Sequence, residues 1–139
     1  MLITRETDYA VRCVLYLAEK QGQRTVVSEI ARQMHIPKHY LAKILQRLVR
    51  EGYVESIRGI NGGYSLLRSP TQISLLDIIA TIQGTAPVNV CAIDRRRCQL
   101  SASCAVHPVW VDIRRNLEKR LRQETISKLL KRRSAALSR

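Results

Sequence analysis

The sequence predicts a mainly α chain with a small β wing: a winged helix-turn-helix domain followed by one long C-terminal helix. Three observations carry this. Two short helical patterns, SEIARQM and KHYLAKILQRLVR, are separated by the break HIP. Two alternating stretches, YVESIRG and YSLLR, follow at once, with glycines at 59, 62 and 63 between them. A last amphipathic pattern runs from Pro108 to about Leu130, after an interval rich in cysteine that has no periodicity.

The first helix is TDYAVRCVLYLAEKQG, with Ala10, Val11, Val14, Leu15 and Ala18 at helical spacing and a stop at Gly22. Cys13 sits among these apolar residues and is expected to be a small core side chain. Ser28 is placed to cap the second helix. Pro37 suits the first position of the third, which carries the stripe Leu41, Ile44, Leu45, Leu48 and Val49 and ends at Gly52. The other face of this helix shows Lys38, His39, Lys43, Gln46, Arg47 and Arg50. Two short helices around a tight turn, the second with a basic face, form a helix-turn-helix pattern. An ordinary helical hairpin would show the same two helices, and the following β-hairpin is what argues for a wing. The wing glycines allow its tip to approach a DNA backbone closely. Ser74 caps a fourth helix, SLLDIIATIQ, which ends at Gly84.

These elements divide the chain into a winged helix-turn-helix DNA-binding domain at 1–84, a cysteine-rich loop at 85–107, a dimerisation helix at 108–130 and a basic tail at 131–139 expected to fray. Dimerisation is expected because reading a palindromic operator needs two-fold symmetry.

The chain has 24 Lys and Arg against 11 Asp and Glu, a formal charge of +13. A surplus of this size calls for an anionic partner, such as nucleic acid or an acidic membrane, or else is a solvated basic surface. It is not confined to the reading head: residues 1–70 carry eleven basic against six acidic residues, and residues 112–139 carry ten against three. The longest apolar run, ISLLDIIATI, contains Asp77 and is too short to span a bilayer. Arg5, Glu6 and Asp8 interrupt the N-terminus where a secretory signal would be apolar. A cytoplasmic protein with no membrane partner is therefore expected.

In that reducing compartment, Cys91, Cys98 and Cys104 are not expected to form structural disulfides. Three packing cysteines are implausible beside Asp94, Arg95, Arg96 and Arg97. Ligation fits better, with His107 as a fourth donor in the pattern C-x6-C-x5-C-x2-H. The neighbouring arginines favour thiolates. Gaps of six and five suit an iron–sulfur cluster better than structural zinc, which prefers tight C-x2–4-C knuckles, but zinc stays an alternative, as does a direct thiol switch holding no metal. Nothing in the sequence suggests a base positioned beside an open metal site, so an enzyme is not expected.

TDYAVR, IPKHYLAKILQRL, GYVESIRGINGGYSLL, the three-cysteine loop and CAVHPVW resemble the Rrf-two family of bacterial winged-helix transcriptional regulators. The resemblance covers about residues 1–130. It implies a homodimer whose long helices cross, with a cysteine-ligated iron–sulfur cluster that tunes binding to double-stranded DNA. Cys91, Cys98 and Cys104 match the family's cysteine ligands. His107 matches the histidine that completes a 2Fe–2S site in the iron–sulfur cluster regulators. Asp8 matches an aspartate that completes a 4Fe–4S site from the partner subunit in the nitric-oxide-sensing repressors. The 2Fe–2S form is favoured. The first gap is six residues where those relatives usually have five. Lys38, His39, Tyr40 and Lys43 on the recognition helix, and Arg58, Asn61 and Gly62 on the wing, are the implied DNA contacts. An acid found in the iron–sulfur cluster regulators is replaced here by Ala42, so their operator preference does not transfer. The resemblance implies a redox-, iron–sulfur- or nitric-oxide-sensing repressor.

Overall fold

The computed structural model describes residues 3–84 and 88–138. The first three residues of the expected 85–107 loop and Arg139 of the expected tail lie outside the described residues. Seven helices and a two-stranded sheet follow in order: α1 (Arg5–Glu19), α2 (Val27–Met34), α3 (Lys38–Arg50), β1 (Val54–Ile57), β2 (Gly63–Leu66), α4 (Leu75–Gln83), α5 (Val90–Ile93), α6 (His107–Gln123) and α7 (Ile126–Leu137). No helix among the described residues is long and apolar enough to cross a membrane.

The stripe on α3 folds as expected. Leu41, Ile44, Leu45 and Leu48 are fully buried and join Val14, Leu17 and Ile30 in one core. Burying each such side chain contributes roughly 1.5–3 kcal/mol, so the orientation of α3 is set by its apolar face. Cys13 is fully buried in the same core, and desolvation pushes its thiol up to about 12. α1 is central, packing against α2, α3, α4 and α7. The buried Tyr16 hydroxyl on α1 donates to Glu29 of α2 at 2.7 Å, and Lys20 completes the group at 3.2 Å from the same carboxylate. This fixes the first helix of the helix-turn-helix to the domain.

Two caps differ from the sequence expectation. α2 begins two residues earlier, with Val26 at its cap, so Ser28 lies inside its first turn. Pro37 is itself the cap of α3, and Lys38 is the first helical residue. Between the helices His35 takes left-handed backbone angles (φ 54°) and its N–H bonds the Ala31 carbonyl, which makes the turn tight.

The wing pairs Val54 with Leu66 and Ile57 with Gly63, antiparallel. Thr25, just before α2, adds a third rung by exchanging backbone hydrogen bonds with Tyr64 at 2.8 and 2.9 Å. Gly63 must be glycine here: its φ is +153°, and a Cβ would sit 2.8 Å from the Thr25 carbonyl oxygen.

The C-terminal region departs most from expectation. The single helix expected at 108–130 is broken at Glu124–Thr125, and the tail expected to fray is helical as far as Leu137. The reason is tertiary. Ile126 is fully buried in the winged-helix core, so the chain folds back to bring it there. Thr125 caps α7 by accepting from the Lys128 N–H. The Leu75 N–H donates to the Glu124 carbonyl and the Ile126 N–H to the Ile73 carbonyl, at 2.9 and 2.8 Å. The Glu124 side chain, 8% exposed, receives Arg120 and Arg132. These pairs, Arg132 foremost, hold its carboxyl below the usual range. The tail is ordered further by Arg133, which pairs with Glu19 of α1 at 2.9 Å.

α6 is the least covered helix. It packs on α4 and α5, yet none of its seventeen residues is buried, and Val109 and Ile113 are 51% and 41% exposed.

Candidate nucleic-acid interface and cysteine segment

α3 and the wing both carry exposed basic side chains. Lys38, His39, Tyr40 and Lys43 are exposed along the first turns of α3, as are Arg58 and Asn61 on the wing, while Gly62 is partly covered. A side chain at position 62 would collide with the Ile57 carbonyl, so the turn needs glycine there. Tyr40 is held by neighbours: its ring lies 5.5 Å from Tyr9 and 4.4 Å from His39. Arg12 in turn covers the Tyr9 ring at 5.5 Å. An open groove of about 370 Å³ runs between helix and wing, lined by Gln46, Val49, Arg50, Ser56, Arg58 and Tyr64.

Three basic residues have roles that periodicity did not separate. Arg47, on the expected reading face, instead donates to the Ile82 carbonyl at 2.7 Å and pairs with Glu6 at 3.6 Å. It braces α3 against the end of α4. Arg24 donates to the Asn61 carbonyl, so it holds the wing tip from the segment before α2. Arg50 lines the groove. Its place on the face shared with Lys43 and Gln46 was the available signal. Ile60, at the wing tip, is fully exposed.

The segment after α4 is more structured than a loop. Cys91 lies in α5 and is 7% exposed. A 3-10 turn follows at Arg95–Arg97, and Cys98 terminates it. Cys98 and Cys104 are half-buried, and all four cysteines of the chain are free thiols. Asp94 and Arg96 pair at 3.1 Å. That contact holds the Asp94 carboxyl below its ordinary value and leaves Arg95 and Arg97 as the segment's net positive charge.

Cys104 and His107 line one open concavity of about 460 Å³ together with Arg95, Ser101 and Arg115. His107 is the first residue of α6. Its Nδ1 is buried and has no hydrogen-bond partner, and neither has the buried Ser101 hydroxyl. Among the described residues, no three His, Cys, Asp or Glu side chains come together as a metal-ligating cluster. The expected ligands thus share a short segment without being gathered into a cage.

The donor chemistry nevertheless fits the implied group. Three thiols are free, none belongs to the main core, and a buried imidazole nitrogen lacks any competing proton donor. Asp8 is differently placed. It sits on α1, outside the cysteine segment, with one carboxylate oxygen 2.7 Å from Arg12.

The comparisons with known proteins agree with this architecture. The family described as "Rrf2: Iron-dependent Transcriptional regulator" matches residues 3–132. A protein of Aquifex aeolicus (strain VF5), whose name describes it as an HTH-type transcriptional regulator, is 30% identical over 132 residues, covering 94% of this chain and 92% of its own. Among solved structures, T. potens IscR superposes with a TM-score of 0.77 at 25% identity, covering 98% of this chain and 90% of that one. CymR, the global cysteine regulator of B. subtilis, gives a TM-score of 0.78 at 28% identity, covering 94% and 97%. The relatives are named as regulators, consistent with a chain that binds DNA and is not an enzyme. With its winged helix-turn-helix and its match across residues 3–132, this chain belongs to the Rrf2 family of transcriptional regulators.

Proposed function

We propose that the protein is a homodimeric, sequence-specific repressor whose affinity for a palindromic operator is set by an iron–sulfur cluster. Cys91, Cys98, Cys104 and His107 would hold the cluster. The observation that carries this is the buried, partnerless Nδ1 of His107 beside Cys104, in a segment that supplies two more free thiols. His107 is preferred to a partner's Asp8 because it lines one concavity with Cys104 and its Nδ1 has no partner, whereas Asp8 lies on α1. A 2Fe–2S site is favoured with that donor set, and a 4Fe–4S site is the alternative. When bound, the cluster supplies a redox- and nitric-oxide-sensitive group.

The protein's own residues do the rest. Lys38, Lys43 and Arg58 supply phosphate contacts and salt-dependent affinity. His39, Tyr40, Asn61 and Gly62 lie where base edges and groove walls would be met. α6 supplies the dimer contact, because contacts with α4 and α5 leave it with no buried residue and with Val109 and Ile113 exposed. The domain division then becomes a reading head at 1–84 and a sensing segment at 85–107. α6 makes the dimer helix, and α7 returns to the head.

A second reading has its own support. Cys98 and Cys104 are half-buried free thiols beside arginines, the setting of a direct thiol switch, and one structural neighbour is titled a global cysteine regulator. Zinc held by the same residues is the remaining alternative.

Replacing Cys91, Cys98 and Cys104 singly by Ser, with iron, sulfide and zinc measured in each protein, separates these readings. Loss of iron and sulfide together supports the cluster. Stoichiometric zinc in a colourless wild-type protein refutes it. Sedimentation of wild type and Ile113→Asp tests the dimer, and a monomeric wild type at micromolar concentration would contradict it.

A further inference from the structure

Besides the packing of α5 on α6, one side chain of α6 hydrogen-bonds the cysteine segment. Arg114 Nη1 donates to the Ala92 carbonyl at 2.7 Å, across 22 residues of sequence, and its Nε donates to Glu118 at 2.8 Å. Among the described residues, the other hydrogen bonds of residues 88–105 stay inside that segment. Ala92 lies in the four-residue α5, whose last carbonyls have no helical partner. A guanidinium at this end satisfies one of them and complements the local dipole. Glu118, one turn further along α6, fixes the direction in which the guanidinium points. Arg114 is only 21% exposed, so the contact is shielded from solvent. Cys91, the neighbour of Ala92, is correspondingly the most buried of the three clustered cysteines.

We propose that Arg114 is a positioning residue: by gripping the Ala92 carbonyl it fixes Cys91 against α6 and so couples the cysteine segment to the dimer helix. The part concerning DNA rests on the cluster reading above, whereas the part concerning Cys91 does not. With the grip in place, any rearrangement that ligation imposes on Cys91 must move α5 as a body, and α5 is joined to α6. Without it, the cysteine segment can adjust alone and the reading heads receive less of the change.

The test compares wild type with Arg114→Met and Arg114→Lys as full-length proteins. Met keeps the packing volume but donates nothing. Lys restores the charge without the planar two-donor fork. In the reduced, cluster-free protein, alkylation by N-ethylmaleimide is followed cysteine by cysteine using peptide mass spectrometry. Losing a charge-assisted hydrogen bond should raise the opening of α5, and with it the Cys91 rate, by about tenfold in Arg114→Met. Arg114→Lys should fall between, and Cys98 and Cys104 should change less than about twofold. Operator affinity is then measured with and without the reconstituted cluster, and the ratio between the two states should shrink toward one in Arg114→Met. An unchanged Cys91 rate overturns the proposal. So does an equal rise at all three cysteines with a lowered Tm, which would mean general loosening. If wild type itself shows no cluster-dependent affinity, the cluster reading fails, and the alkylation arm still decides the role of Arg114.

Discussion

Replacing Ile126 by Ala tests how firmly α6 and α7 are joined to the winged-helix core. Ile126 is fully buried among residues of the winged-helix core, at the point where the chain turns back after α6. Truncation removes three buried carbons and leaves a cavity walled by well-packed neighbours. Losses for Ile→Ala at such sites span roughly 2–5 kcal/mol, and the full burial here argues for about 3.5. With an unfolding entropy of roughly 2.1 cal/mol/K per residue, that corresponds to a Tm lowered by about 12 °C. Thermal unfolding followed by circular dichroism measures it. The Ile126 N–H can still reach the Ile73 carbonyl in this variant, so α7 is loosened rather than released, and trypsin should cut at Lys128 and Lys131 more readily than in wild type. A loss below about 1 kcal/mol, with no new cleavage, would refute the idea that the fold-back anchors α6.

Other outcomes follow from the same structure. Lys43→Ala and Arg58→Ala should each weaken DNA binding and lower the slope of log affinity against log salt by about 0.9 per lost phosphate contact, read by fluorescence anisotropy across a salt series; Arg47→Met should lower Tm while leaving that slope unchanged, since Arg47 bonds the protein's own Ile82 and Glu6. Glu124 has its folded pKa lowered by Arg132 and Arg120. Its contribution is therefore fully present above the ordinary carboxylate range and is lost as pH falls through the depressed value; Glu124→Gln should lower stability at neutral pH and flatten the acid limb of the stability–pH curve, the two proteins converging at low pH. Cys13, fully buried with its thiol pushed up to about 12, should resist iodoacetamide in the native protein while Cys98 and Cys104 react; mass spectrometry before and after denaturation reads the difference.

Much of the winged helix was legible because its signals are local. The stripe on α3, the HIP break and the wing glycines each act within a few residues. The break at Glu124–Thr125 was hidden because Leu121, Leu129 and Leu130 continue a helical pattern across it. The gap of five between Leu121 and Ile126, and a capping Thr125, were the available clues. Only the position of Ile73 and Leu75 in space explains why the chain turns there. Arg47 looked like any solvated arginine on a basic face, since its partners lie 35 and 41 residues away. For the cysteine segment the donor chemistry was legible and its geometry was not. The spacing announced ligands, but neither the short α5 nor the grip of Arg114 has a periodic signature.

In the proposed function, cysteine ligation of a cluster governs DNA binding. It is tested most directly by purifying the protein without oxygen and measuring iron, sulfide and operator affinity on one preparation, before and after cluster removal. The account predicts iron and sulfide in equal amounts, visible absorption that vanishes in Cys98→Ser, and an affinity that changes when the cluster is removed. An operator affinity indifferent to the cluster, in a protein that binds it fully, would contradict the account.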